Sequence, residues 1–107
     1  MKNLSAPELA QWLADPARPR PLLLDVREPW ETAICKLDGA ELLPMRALPA
    51  RVGEFDPAQS VVCICHHGGR SAQVAYWLAR QGFADVYNLA GGVDAWARQV
   101  DRGMATY

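Results

Sequence analysis

The stretch Val61-Val62-Cys63-Ile64-Cys65-His66-His67-Gly68-Gly69-Arg70-Ser71 decides the reading of this chain. Its first five residues are apolar and mostly β-branched or small, as in a short buried strand, and the run stops at a polar, glycine-bearing loop. Residues 71–81 follow with good helix formers, placing Val74, Ala75 and Leu78 on one helical face. Cys65 therefore stands at a strand-to-helix junction. Such a junction offers free backbone N–H groups, and the helix dipole adds about half a positive charge there. The pattern describes an anion cradle. Gly68 and Gly69 let the backbone curl closely around a bound group, and Arg70 adds a permanent cation. All three contributions favour a thiolate over a thiol, and the thiolate is the nucleophile. The competing reading is a small buried hydrophobe at the end of a strand, which is the expectation for Cys63. Loop glycines, Arg70 and a following helix set Cys65 apart.

Working outward, Leu4-Ser5-Ala6-Pro7-Glu8-Leu9 has the form of a helix start. Ser5 caps, Glu8 completes a capping box, and Leu4 staples against Leu9. Three prolines between Asp15 and Pro21 end that helix. Leu22-Leu23-Leu24-Asp25-Val26 is a continuous apolar run, expected of a strand covered on both faces. Asp25 and Arg27 fall at its carboxyl end, where ligands gather in open α/β sheets. The alternative is that they tie down the turn by hydrogen bonds and ion pairs. A short helix is expected over 31–36, a turn at 37–40, a brief strand over 41–44, and helical spacing from Met45 to Phe55. Gly82 ends the helix that follows Cys65. Residues 83–89 supply the last strand, Ala90 to Trp96 turn into a final short helix, and the tail to Tyr107 reads as loosely ordered. Cys35 has no cradle and reads as a structural thiol.

The alternation of strands and helices points to a small α/β domain with a mainly parallel sheet. Its 107 residues suffice for one domain with a core. With 11 basic and 12 acidic side chains the net charge is −1, so no basic patch argues for nucleic acid or an anionic membrane. The apolar runs are far too short to span a bilayer, and Met-Lys-Asn-Leu-Ser begins no signal peptide, so a soluble cytoplasmic protein is expected. Three cysteines make no disulfide framework. Cys63, Cys65, His66 and His67 raise the question of a metal. A tetrahedral site normally draws on two separated pairs, and no second pair exists, so no metal is expected.

Several pieces taken together resemble the rhodanese family of single-domain sulfurtransferases. They are Leu24-Asp25-Val26-Arg27-Glu28, the Gly39-Ala40 turn, Cys65-His66-His67-Gly68-Gly69-Arg70-Ser71, Gly82-Phe83, Val86-Tyr87-Asn88-Leu89 and Gly91-Gly92-Val93-Asp94-Ala95-Trp96. They occur in family order over roughly residues 16 to 100. The resemblance implies a small open, mainly parallel five-stranded sheet with helices on both faces. It also implies that Cys65 accepts a sulfane sulfur as a persulfide and passes it to a second nucleophile. Residues 66–70 would form the loop that binds an anionic donor such as thiosulfate, with Ser71, Asp25 and Arg27 in support. Partners would be that donor and a thiol acceptor, small or carried by a thioredoxin-like or other sulfur-relay protein. No cofactor is implied. The six residues from Cys65 to Arg70 match the sulfurtransferase loop, whereas related phosphatases and arsenate reductases carry one more. His66 and His67 read either as hydrogen-bond donors to the donor's oxygens or as solvated imidazoles that shape the loop. One departure from the family is Lys36, preceded by Cys35, where many members have a histidine.

Overall fold

The computed structural model describes residues 1–107. Five strands make one parallel sheet: β1 (Lys2–Leu4), β2 (Leu22–Asp25), β3 (Glu41–Leu42), β4 (Val61–Ile64) and β5 (Val86–Leu89), in the order β1-β5-β4-β2-β3. The helices are α1 (Ala6–Ala14), α2 (Pro29–Ile34), α3 (Leu48–Arg51), α4 (Gly69–Arg80) and α5 (Gly92–Gln99). None is long and apolar enough to cross a membrane. The central strand β4 is buried at all four positions, as its unbroken apolar run requires. Successive side chains point to opposite faces, so Val62 and Ile64 join the core under α1 and α5, while Val61, Cys63 and Cys65 join the core with α4. This alternation aims Cys65 toward the start of α4.

Helix α1 begins as its sequence dictates. Ser5 accepts from the Glu8 N–H, and the Glu8 carboxylate accepts from the Ser5 N–H at 2.8 Å. Gly82, at φ +97°, stops α4 just past its Gln81 cap. Several boundaries differ from the sequence-based expectation. Strand β1 was not expected; its three residues carry too little pattern and owe their conformation to pairing with Tyr87, Asn88 and Leu89 of β5. Helix α2 starts at Pro29, suited to a first helical turn, and ends at Ile34. Strand β3 keeps two residues of the expected four. The Met45–Phe55 segment is broken into a 3₁₀ turn, the short α3 and a second 3₁₀ turn, with Pro49 near the start of α3 and Gly53 within the last turn. Strand β5 begins at Val86, after a turn that carries Phe83.

The tail is the largest correction. Residues 100–107 form no helix or strand, yet the tail is fastened to the carboxyl edge of the sheet by the side chain and main-chain oxygen of Tyr107. Eight residues of loop gave no periodicity from which those anchors are readable.

Candidate active site

Gly68 adopts φ +101° and caps the start of α4. A side chain there would be strained by that conformation and pressed against Gly91 N at 3.1 Å and Leu89 O at 3.3 Å. The turn aims donors at Cys65. Its Sγ accepts from Gly68 N–H at 3.1 Å and Ser71 N–H at 3.4 Å, with Ser71 Oγ at 3.2 Å. Cys65 is 1% exposed and Ser71 is fully buried. The donors of the loop thus converge on a sulfur atom. Two residues back, Cys63 has no such donors. Burial pushes its thiol up to about 12, with the nearby Cys65 adding to the effect, which leaves it inert near neutrality.

The loop is pinned from the far side of β4. Val93 and Asp94, in the first turn of α5, donate their N–H groups to the carbonyls of Cys65 (3.0 Å) and His66 (3.1 Å). Gly92 makes this docking possible, because a Cβ on it would collide with those same two carbonyl oxygens. Asn88 of β5, 4% exposed, completes the support. Its Oδ1 lies 2.6 Å from Ser71 Oγ, and its Nδ2 donates to the Gly68 carbonyl at 3.2 Å and to Asn3 Oδ1 at 3.2 Å.

Arg70 does not stand as a free cation. Its two terminal nitrogens donate to both oxygens of Glu31 at 2.8 and 2.7 Å, a bidentate pair. Glu31 is 3% exposed and also accepts from Tyr107 O–H at 2.9 Å and Glu28 N–H at 2.9 Å. The hydrogen bonds from Arg70 hold its carboxyl down to about 2 against the opposing effect of burial. In return the Glu31 carboxylate raises the guanidinium above its ordinary value. Sequence reasoning missed Glu31; the only available signal was a glutamate three residues after Glu28, which here closes a capping box on α2.

Asp25 and Arg27 tie down the β2 turn. Asp25 accepts from Arg27 Nε at 3.0 Å and Nη2 at 2.7 Å, with both side chains almost wholly buried. The remaining Arg27 hydrogens go to the Cys35 carbonyl at 2.7 Å, Tyr107 Oη at 3.0 Å and the Glu31 carbonyl at 3.4 Å. Burial works against the charge of Arg27, but Asp25 and Tyr107 outweigh it and raise its value. Arg27 thus shapes the wall through Tyr107 and presents no free arm to a ligand.

His66 and His67 part company. His66 Nε2 lies 2.9 Å from the main-chain oxygen of Tyr107, and because that oxygen only accepts, the nitrogen carries the proton. The His66 ring stacks on Tyr107 with centroids 3.8 Å apart and planes 9° apart. His67 is exposed, with Nδ1 3.8 Å from Asp94 Oδ2. His66, His67 and Asp94 place ligand atoms within 4.8 Å of one another. Two of the three are otherwise engaged, His66 by Tyr107 and Asp94 by Arg98 at 2.9 Å, while His67 stands exposed at the rim of the loop.

A parallel α/β sheet with a cysteine held by loop N–H groups at the carboxyl edge of its central strand defines a class of cysteine-dependent group-transfer domain. The Rhodanese-like domain profile matches residues 5–99. A sulfurtransferase of Allochromatium vinosum is 39% identical over 98 residues, covering 92% of this chain and 90% of its own length. The chloroplastic Rhodanese-like/PpiC domain-containing protein 12 of Arabidopsis thaliana is 38% identical over 112 residues, and the present chain spans 38% of it. A crystal structure of a rhodanese-like domain protein from Staphylococcus aureus superposes with a TM-score of 0.84 at 31% identity, covering 100% of this chain and 99% of that one. The chain belongs to the rhodanese-like family of sulfurtransferases.

Proposed function

We propose that this protein transfers a sulfane sulfur by a two-step, ping-pong reaction through a persulfide on Cys65. The observation that carries the reading is the convergence of three hydrogen-bond donors, two backbone N–H groups and the Ser71 hydroxyl, on Cys65 Sγ. These donors stabilise a thiolate and a terminal persulfide sulfur in turn. In the first step the thiolate attacks the outer sulfur of a donor such as thiosulfate. A bond forms between Cys65 Sγ and that sulfur, the donor's S–S bond breaks, and sulfite leaves with the electron pair. In the second an acceptor thiolate, such as that of glutathione or a thioredoxin-like protein, attacks the outer sulfur. It departs as the acceptor's persulfide and regenerates the Cys65 thiolate. Such chemistry suits a reducing compartment such as the cytoplasm.

A second reading, in which the domain relays sulfur between proteins with little turnover of free thiosulfate, is favoured by the charge pairing. Arg70, Arg27 and Arg98 are matched by Glu31, Asp25 and Asp94, leaving an anionic donor the loop N–H groups and imidazoles. One experiment separates the readings. Intact-mass spectrometry after brief thiosulfate treatment is expected to show one added sulfur on the native protein, none on Cys65→Ser, and its loss on reduction. No gain from thiosulfate, with gain from the persulfide of a cysteine desulfurase, selects the relay. An adduct that persists in Cys65→Ser refutes both.

A further inference from the structure

The support behind Cys65 contains a proton-sharing arrangement. Ser71 Oγ sits 3.2 Å from Cys65 Sγ and 2.6 Å from Asn88 Oδ1, but a hydroxyl has one hydrogen and serves one of them at a time. The orientation of the Asn88 amide is set by its other partner. The Gly68 carbonyl, 3.2 Å away, only accepts, so the NH₂ of Asn88 must face it and the carbonyl oxygen must face Ser71. Asn88 therefore competes with the sulfur for the Ser71 hydrogen.

We infer that Asn88 is a positioning residue that restrains Cys65 by holding the Ser71 hydrogen until the sulfur becomes anionic. With a neutral thiol, Ser71 donates to Asn88 Oδ1 and turns a lone pair toward Sγ. When the sulfur carries charge, the hydrogen swings to Sγ, and the buried Asn88 oxygen gives up its Ser71 donor. The stabilisation of the anion is smaller by what that lost bond was worth. Strand β5 thus tempers the nucleophile, and Asn3 of β1, 3.2 Å from Asn88 Nδ2, steadies the amide from behind. This inference rests on the assignment of Cys65 as the nucleophile.

The test is the rate at which iodoacetamide alkylates Cys65 at neutral pH, followed by peptide mapping so that Cys35 and Cys63 are scored separately. Asn88→Ala frees the Ser71 hydrogen, and alkylation is expected to rise about two- to tenfold, the range set by one net hydrogen bond. This rise should vanish in a Ser71→Ala background, where no hydrogen is left to share. Asn88→Val, which suits a β-strand, makes the same comparison should Asn88→Ala fail to fold. A role limited to supporting the loop would leave alkylation of Asn88→Ala unraised, or leave its effect unchanged in Ser71→Ala; either result overturns the inference. Whether Cys65 carries sulfur is read separately by mass, so failure of that assignment is distinguishable from failure of this one.

Discussion

Replacing Glu31 by glutamine removes the charge at the centre of the site wall while keeping its volume. Glu31 titrates at about 2 against an ordinary 4.5. At about 1.36 kcal/mol per tenfold change in proton affinity, that separation corresponds to roughly 3 kcal/mol. Arg70, its main partner, has a side chain 39% exposed, so solvent screening reduces this to about 2 kcal/mol. The sign follows from a carboxylate depressed in the folded state. Its contribution is complete above about pH 4.5 and is lost as pH falls toward 2. Urea denaturation at pH 7 should therefore find Glu31→Gln about 2 kcal/mol less stable than the native protein, a large share of a domain's typical 5–15 kcal/mol. At pH 3, where the native protein has lost more than half of this contribution, the gap should narrow to about 1 kcal/mol or less. A gap that is absent at neutral pH, or that stays constant down to pH 3, would refute the pairing argument.

Two further substitutions probe the loop and the tail. Gly92→Ala forces a Cβ into the Cys65 and His66 carbonyl oxygens at φ +60°, so it should lower stability by about 1–3 kcal/mol in thermal or urea melts. Because it displaces the loop itself, sulfur uptake by mass should fall further than stability does; a variant with native uptake would show that the α5 docking is dispensable. Tyr107→Phe deletes the hydroxyl that donates to Glu31 and accepts from Arg27, and should cost about 1 kcal/mol in urea. Equal stability of the two proteins would mean that the tail is not fastened there.

Much of the fold was legible because burial on both faces leaves an unmistakable run in β2 and β4, and because the Ser5–Glu8 box and Gly82 carry their own geometric reasons. The place of Cys65 between β4 and α4 was legible because glycines and a helix start follow it directly. What escaped was non-local. Lys2–Leu4 became a strand only through its neighbour β5. Sequence alone gives Arg70 as a permanent cation and hides its pairing, because the carboxylate that neutralises it lies 39 residues away. Tyr107, in a segment without periodicity, contributes through side-chain contacts with Arg27 and Glu31, 80 and 76 residues distant.

The strand order explains which residues were hidden. With β4 lying between β5 and β2, the loop after β4 is flanked on one side by the end of β5 and the residues after it, and on the other by residues that follow β2. Asn88, Gly92 and Val93 come from the first side, Arg27 and Glu31 from the second, and neither group is near Cys65 in sequence. The first side supplies the backbone contacts and the amide that shape the donors around Sγ. The second supplies the carboxylate that takes up the charge of Arg70. These two flanks act on different properties. A change on the β5 side should alter how Cys65 reacts, whereas a change on the β2 side should alter how much positive field a donor meets at the mouth. Restoring that field by neutralising Glu31 would favour thiosulfate over an uncharged or protein-borne donor. Under the proposed sulfur transfer, intact mass should therefore show Glu31→Gln taking up relatively more sulfur from thiosulfate than from a protein persulfide, and an unchanged ratio would refute the role of this wall in donor preference.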